Sequence, residues 1–228
     1  MLNHNGMLAV LDRHITLNWD DGPTLMRIGA EVRYQVAGID DDDDPQRTLM
    51  INASSRCGDD PPCFNAFNED DGITATWTWV DGVPTFSSQL TIGNIGDDDL
   101  RLTCVALVAI DGARNGVFNL GAPPSLWSTL SDDAQASSQA LAAPDGSRTF
   151  VVYCDASTRS RPTALAFAVR GDTLGARFEL RTAQDRFQAL RVAIDFSPAR
   201  LLGAGATMAL PEVLITSGDD PRELRDAV

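Results

Sequence analysis

Lysine is missing from this 228-residue sequence, glutamate is scarce and histidine occurs only twice. The 32 acidic residues comprise 27 aspartates and 5 glutamates, every one of the 18 basic residues is arginine, and the formal net charge is −14. Such a surface repels phosphates, which argues against a nucleic acid or an anionic membrane as partner. Long apolar runs are also lacking. No stretch approaches the ~20 apolar residues of a membrane helix, and the start Met1-Leu2-Asn3-His4-Asn5 has neither the basic region nor the apolar stretch of a signal peptide. The expectation is a soluble, cytoplasmic protein.

The four cysteines form no C-x-x-C, and both histidines lie far from them, so no structural zinc or other metal is expected. Cys104 and Cys154 sit in apolar runs and read as small core residues. Cys57 and Cys63 flank Gly58-Asp59-Asp60-Pro61-Pro62 and could close a surface loop by a disulfide in an oxidising compartment. G-x-S-x-G, H-E-x-x-H, the P-loop and a helix-opening G-x-G-x-x-G are all absent, which leaves no catalytic residue and no cofactor to assign. Gly203-Ala204-Gly205-Ala206 precedes a strand-like run and reads as a turn. No motif places a nucleophile beside His4 or His14, and both read as surface residues. Among so many acidic residues, no pair of carboxylates stands out for glycoside chemistry.

What is present is alternation. Ile73, Ala75, Trp77 and Trp79 share one phase while Thr74, Thr76 and Thr78 take the other, the period of a strand with one buried face. Phe86, Leu90 and Ile92 repeat the pattern, and Asp81-Gly82 suits the turn between the two runs. The next run, Cys104-Val105-Ala106-Leu107-Val108-Ala109-Ile110, is apolar on both faces, as in a strand inside a sandwich. Residues 73–110 are therefore expected to be the structural centre. Further strands are expected at 8–11, 15–19, 27–36, 48–53, 150–154, 163–169, 176–181 and 189–196, about a dozen in all, with almost no helix. The fold class expected is an all-β, large antiparallel sandwich.

Between the strands, Asp40 to Asp44 and Asp97-Asp98-Asp99 read as solvated turns. Neither has the spaced ligands and glycine of a calcium loop. Residues 54–72 read as a long polar loop pinned by Phe64 and Phe67, and 132–144 as an exposed connection. Trp77 and Trp79 are expected in the core. Trp127, among Ser, Gly and Pro, is open to three readings: core, domain interface or ligand contact. At the end Asp220 can cap a helix, Pro221 suits its first position and Glu223 stands at capping-box spacing. So short a helix needs something to pack on, which suggests further chain beyond Val228.

The passage Pro211-Glu212-Val213-Leu214-Ile215-Thr216-Ser217-Gly218-Asp219-Asp220-Pro221-Arg222-Glu223-Leu224 resembles "P-E-x-L-x-x-x-G-x-D-P-x-x-L". That pattern closes the N-terminal β-supersandwich of α-galactosidase-like glycoside hydrolases (clan D, family 36-type). Val117-Phe118-Asn119-Leu120-Gly121 with Leu126-Trp127-Ser128 resembles a degraded form of that family's "N-G-W-Q-S-W-S" stretch, with longer spacing and lacking its Gln and one Trp. The resemblance implies a supersandwich at 1–216 and, at 217–228, the start of a linker helix towards a (β/α)8 catalytic barrel. It implies retaining hydrolysis by two barrel carboxylates, so this segment would be non-catalytic, packing on the barrel and shaping the rim of its pocket. Trp127, Asn119 and Ser128 would be the rim or interdomain residues. Carbohydrate, met through the parent enzyme, and the barrel would be the partners, with a homo-oligomer also allowed. The alternative is a free-standing carbohydrate-binding or surface-interaction sandwich.

Overall fold

The computed structural model describes residues 6–11, 14–20, 22–37, 45–82, 85–130, 140–142, 148–154, 163–171 and 176–228. The expectations for His4, for Asp40 to Asp44 and for most of 132–144 lie outside the described residues. Eighteen strands and one short α-helix are described, more than the dozen strands expected, and they form two nine-stranded antiparallel sheets.

The first sheet runs β1 (Gly6–Leu11), β2 (His14–Trp19), β3 (Thr24–Val36), β9 (Leu100–Asp111), β16 (Arg186–Leu202), β15 (Arg177–Ala183) and β12 (Ala140–Ala142). Two further strands, β4 (Arg47–Ile51) and β10 (Val117–Asn119), also pair with β3. The second runs β11 (Trp127–Thr129), β13 (Thr149–Cys154), β14 (Thr163–Arg170), β18 (Glu212–Gly218), β8 (Thr85–Asn94), β7 (Ile73–Gly82), β6 (Pro62–Asn68) and β5 (Arg56–Asp59), with β17 (Thr207–Ala209) on β8. Ala206 N–H donates to the Gly203 carbonyl at 3.0 Å, closing the turn expected before β17.

One hydrophobic core fills the space between the sheets. Ile28, Ala30, Val32 and Tyr34 supply it from β3, and Ile73, Ala75, Trp77 and Trp79 from β7, each at most 1% exposed. Aromatic pairs bridge the two layers: Trp19 with Phe86 at 5.3 Å, Phe118 with Trp127 at 5.1 Å, and Phe150 with Phe178 at 5.7 Å between ring centroids. Truncating a buried ring of this kind costs roughly 3–5 kcal/mol. A polar knot also joins the layers. The Tyr34 hydroxyl donates to Asp71 Oδ2 at 2.6 Å, Asn68 Nδ2 donates to the same oxygen at 2.8 Å, and Arg47 pairs with Asp71 Oδ1.

Several expectations are corrected. The β7–β8 ladder runs through Asp81↔Phe86 to Gly82↔Thr85, so the link is 83–84 and Asp81-Gly82 belongs to the strand. The doubly apolar β9, an interior strand as expected, lies in the middle of the opposite sheet, between β3 and β16. Within 54–72, the expected loop is largely the β5–β6 hairpin, with Cys57 and Cys63 joined by a disulfide and Cα atoms 5.2 Å apart. Phe64 is buried there, but Phe67 has the opposite strand phase and is 63% exposed, so it pins nothing. Residues 140–142, expected in a connection, pair with β15.

The terminal helix, α1 (Pro221–Ala227), is capped by Asp220, whose Oδ1 accepts from the N–H of Arg222 at 2.8 Å and of Glu223 at 3.3 Å. It already has something to pack on. Leu224 is buried with Val151, Ala164 and Ala166 on the outer face of the second sheet.

Candidate functional site

The outer face of the first sheet carries a groove of about 670 Å³, a size common among small-ligand sites. Strand alternation builds it. While the even residues of β3 enter the core, Gly29, Glu31 and Arg33 face outward. Ala109 from β9, Ala189 and Arg191 from β16, and Glu179 and Arg181 from β15 face the same way. The small side chains make the depression. Cys104, Ala106 and Ala193 lie beside it on the same face and are buried, with Ala109 packed against them.

Charge is paired at the centre of the groove and looser at its end. Glu31, 8% exposed, accepts from Arg33 Nε at 2.5 Å and from Arg191 Nη2 at 2.6 Å. Burial pushes its carboxyl pKa up, but the hydrogen bonds and charges of Arg33 and Arg191 outweigh that, and Glu31 titrates below the usual glutamate range. Arg33 is raised in turn, chiefly by its bond to Glu31. Arg181 Nε meets Glu179 at 2.6 Å, while Arg114 Nε stands 3.6 Å from Asp111. Arg27 makes no ion pair among the described residues; its Nη1 donates to the Arg114 carbonyl at 3.4 Å. Next to the floor, burial pushes the Cys104 thiol up to about 11, helped by the Asp195 carboxylate and opposed by Arg33 and Arg191.

Arg27 sits at a bulge. Ile15 pairs with Ile28 and Thr16 with Met26, leaving Arg27 extra, and its φ is +59°. An L side chain is disfavoured there, and glycine, asparagine or aspartate would normally occupy such a position.

The residues singled out from the sequence fall elsewhere and do not converge. Trp127 is buried on β11, its Nε1 donating to the Ala122 carbonyl at 2.9 Å and its ring edge-on to Phe118. Asn119, on β10 of the opposite sheet, is exposed, and its Oδ1 accepts from Gly121 N–H at 2.5 Å to shape the turn. Ser128 is half-buried beside Tyr153 in the ladder. His14 lies at the groove but makes no nucleophile pair, and among the described residues no cluster of ligands suits a metal ion. The groove arginines were missed because each, taken singly, is the ordinary polar phase of a half-buried strand. The available signal was the set of small outward residues, Gly29, Ala109, Ala189 and Ala193.

No protein-family model and no curated protein matches the chain. Solved structures do. A polysaccharide lyase aligns over 100% of this chain and 34% of its own length at 11% identity and a TM-score of 0.51. The GH36 α-galactosidase AgaB of Geobacillus stearothermophilus aligns over 96% of this chain and 30% of its own at 9% identity, TM-score 0.48. The α-galactosidase of Lactobacillus brevis aligns over 95% and 26% at 11% identity, TM-score 0.42. The chain thus spans about a quarter to a third of the proteins it is similar to. The α-galactosidase family named from residues 211–224 recurs among these structures, and what the chain shares with its structural relatives is an all-β sandwich fold.

Proposed function

We propose that the chain is a non-catalytic supporting domain of an α-galactosidase-like glycoside hydrolase, packing on a catalytic barrel and shaping the rim of its pocket. One observation carries this reading: four matched positions of residues 211–224, Gly218, Asp220, Pro221 and Leu224, each have a definite mechanical task. Leu214 and Ile215 lie in β18, and a Cβ on Gly218 would come within 3.2 Å of Leu224 Cδ2, so a residue without one lets the helix sit down on the sheet. Asp220 caps, Pro221 begins the helix where no N–H is needed, and Leu224 locks it. The passage works as a rigid exit ramp, which suits a domain that must hold a fixed pose against a following one. Asn119 and Ser128 remain accessible enough to meet such a neighbour, while Trp127 serves by holding residues 117–129 in shape.

The purified chain should not turn over aryl α-galactosides, and the reading frame beyond Val228 should encode a βα pattern of roughly 250 residues or more. Turnover by the chain alone, or a stop codon after Val228, overturns the proposal. Tight binding of a neutral galactoside by the isolated chain favours a free-standing carbohydrate-binding sandwich instead.

A further inference from the structure

The groove on the first sheet is out of character with the rest of the molecule. The chain carries a formal net charge of −14, yet five arginines line this one depression against Glu31, Glu179 and Asp111. Glu31 is already shared by two guanidiniums, so the centre keeps a positive excess. Towards the end, Arg27 is exposed and makes no ion pair among the described residues, and Arg114 is only loosely paired. No phenylalanine, tyrosine or tryptophan lines the groove, so it offers no stacking platform for the apolar face of a neutral sugar. A guanidinium fork matches a carboxylate better than any uncharged group. A strained backbone position occupied by arginine also tends to mark a working site.

We infer that this groove binds a small carboxylate-bearing ligand, such as a uronate sugar or a simple polycarboxylate, with Arg27 and Arg114 taking the carboxylate and the Glu31-anchored arginines fixing the positive field. The site lies on the face opposite α1, so it is separate from the exit ramp and stands whether or not the supporting-domain reading holds. The small floor gives the ligand its space. Glu31 gathers the Arg33 and Arg191 guanidiniums at the centre, its bond to Arg191 reaching across β9. Asp111 competes for Arg114 from 3.6 Å, a contact that an incoming carboxylate can displace.

The test is calorimetric titration of the full chain with trigalacturonate, with citrate and with neutral galactotriose. Either carboxylate probe should bind with Kd at or below about 1 mM, more weakly as salt rises, while galactotriose should not bind. Which carboxylate binds tells a uronate sugar from a simple polycarboxylate. Arg27→Asn, whose side chain tolerates the positive φ, and Arg114→Gln should each weaken binding by about tenfold, the loss expected for one charge-assisted contact, with unchanged thermal melting as the control for folding. No binding by either carboxylate probe, equal binding of galactotriose, or binding that neither variant weakens overturns the inference.

Discussion

The two outer faces of this sandwich solve the same problem in different ways. Each sheet presents small side chains outward, and each would leave apolar surface in water. Over β13 and β14 the chain covers Val151, Ala164 and Ala166 with its own helix, through Leu224. Over β9 and β16 no described helix or strand covers Ala109 and Ala189, and arginines line the groove around them. Arginine stems shield apolar atoms while their heads stay in water. One face is thereby closed, and the other is left as a groove with charge on its walls.

If that contrast is right, the largest single loss lies on the open face. Glu31→Ala strands two guanidiniums on a partly buried surface and should cost about 3 kcal/mol, read by denaturant unfolding. The pH dependence follows from the same group. Its folded pKa is depressed, so its stabilisation is full above the ordinary glutamate value and is lost as pH falls through the lower folded value. The stability gap between wild type and Glu31→Gln should therefore be widest near neutrality and shrink below about pH 4.5. On the closed face, Leu224→Ala should cost about 2 kcal/mol and speed amide exchange across 221–227 without touching the groove. Asp220→Ala removes only the cap and should cost about 1 kcal/mol, again confined to α1. Smallest in energy is a labelling test of the floor. With its thiol pushed up to about 11, Cys104 should resist iodoacetamide at pH 8 in the native chain and react once unfolded.

Much of the architecture was legible in the sequence, because period two survives wherever one face is buried: Ile28 to Val36 and Ile73 to Trp79 show it directly. The both-faces-apolar run at 104–110 correctly marked an interior strand. Its sheet was not legible, since hydrophobicity does not say which neighbours pair. The β5–β6 hairpin was hidden because Cys, Gly and Pro break the apolar alternation that Phe64 and Ala66 carry. Trp127 looked like a loop aromatic because its partners, the Ala122 carbonyl and Phe118, are supplied by tertiary structure. The helix cap was legible in Asp220, Pro221 and Glu223, as caps are local. The groove could not be read that way: Glu31 and Arg191 are 160 residues apart, and only the order β3–β9–β16–β15 makes them neighbours.

The most direct measurement is hydrogen exchange across the whole chain with and without saturating trigalacturonate. Slowed exchange is expected around residues 27–33 and 109–114, with none in β13, β14 or α1. Slowing on the α1 face instead, or none at the groove in the presence of measured binding, would contradict a carboxylate site in the groove.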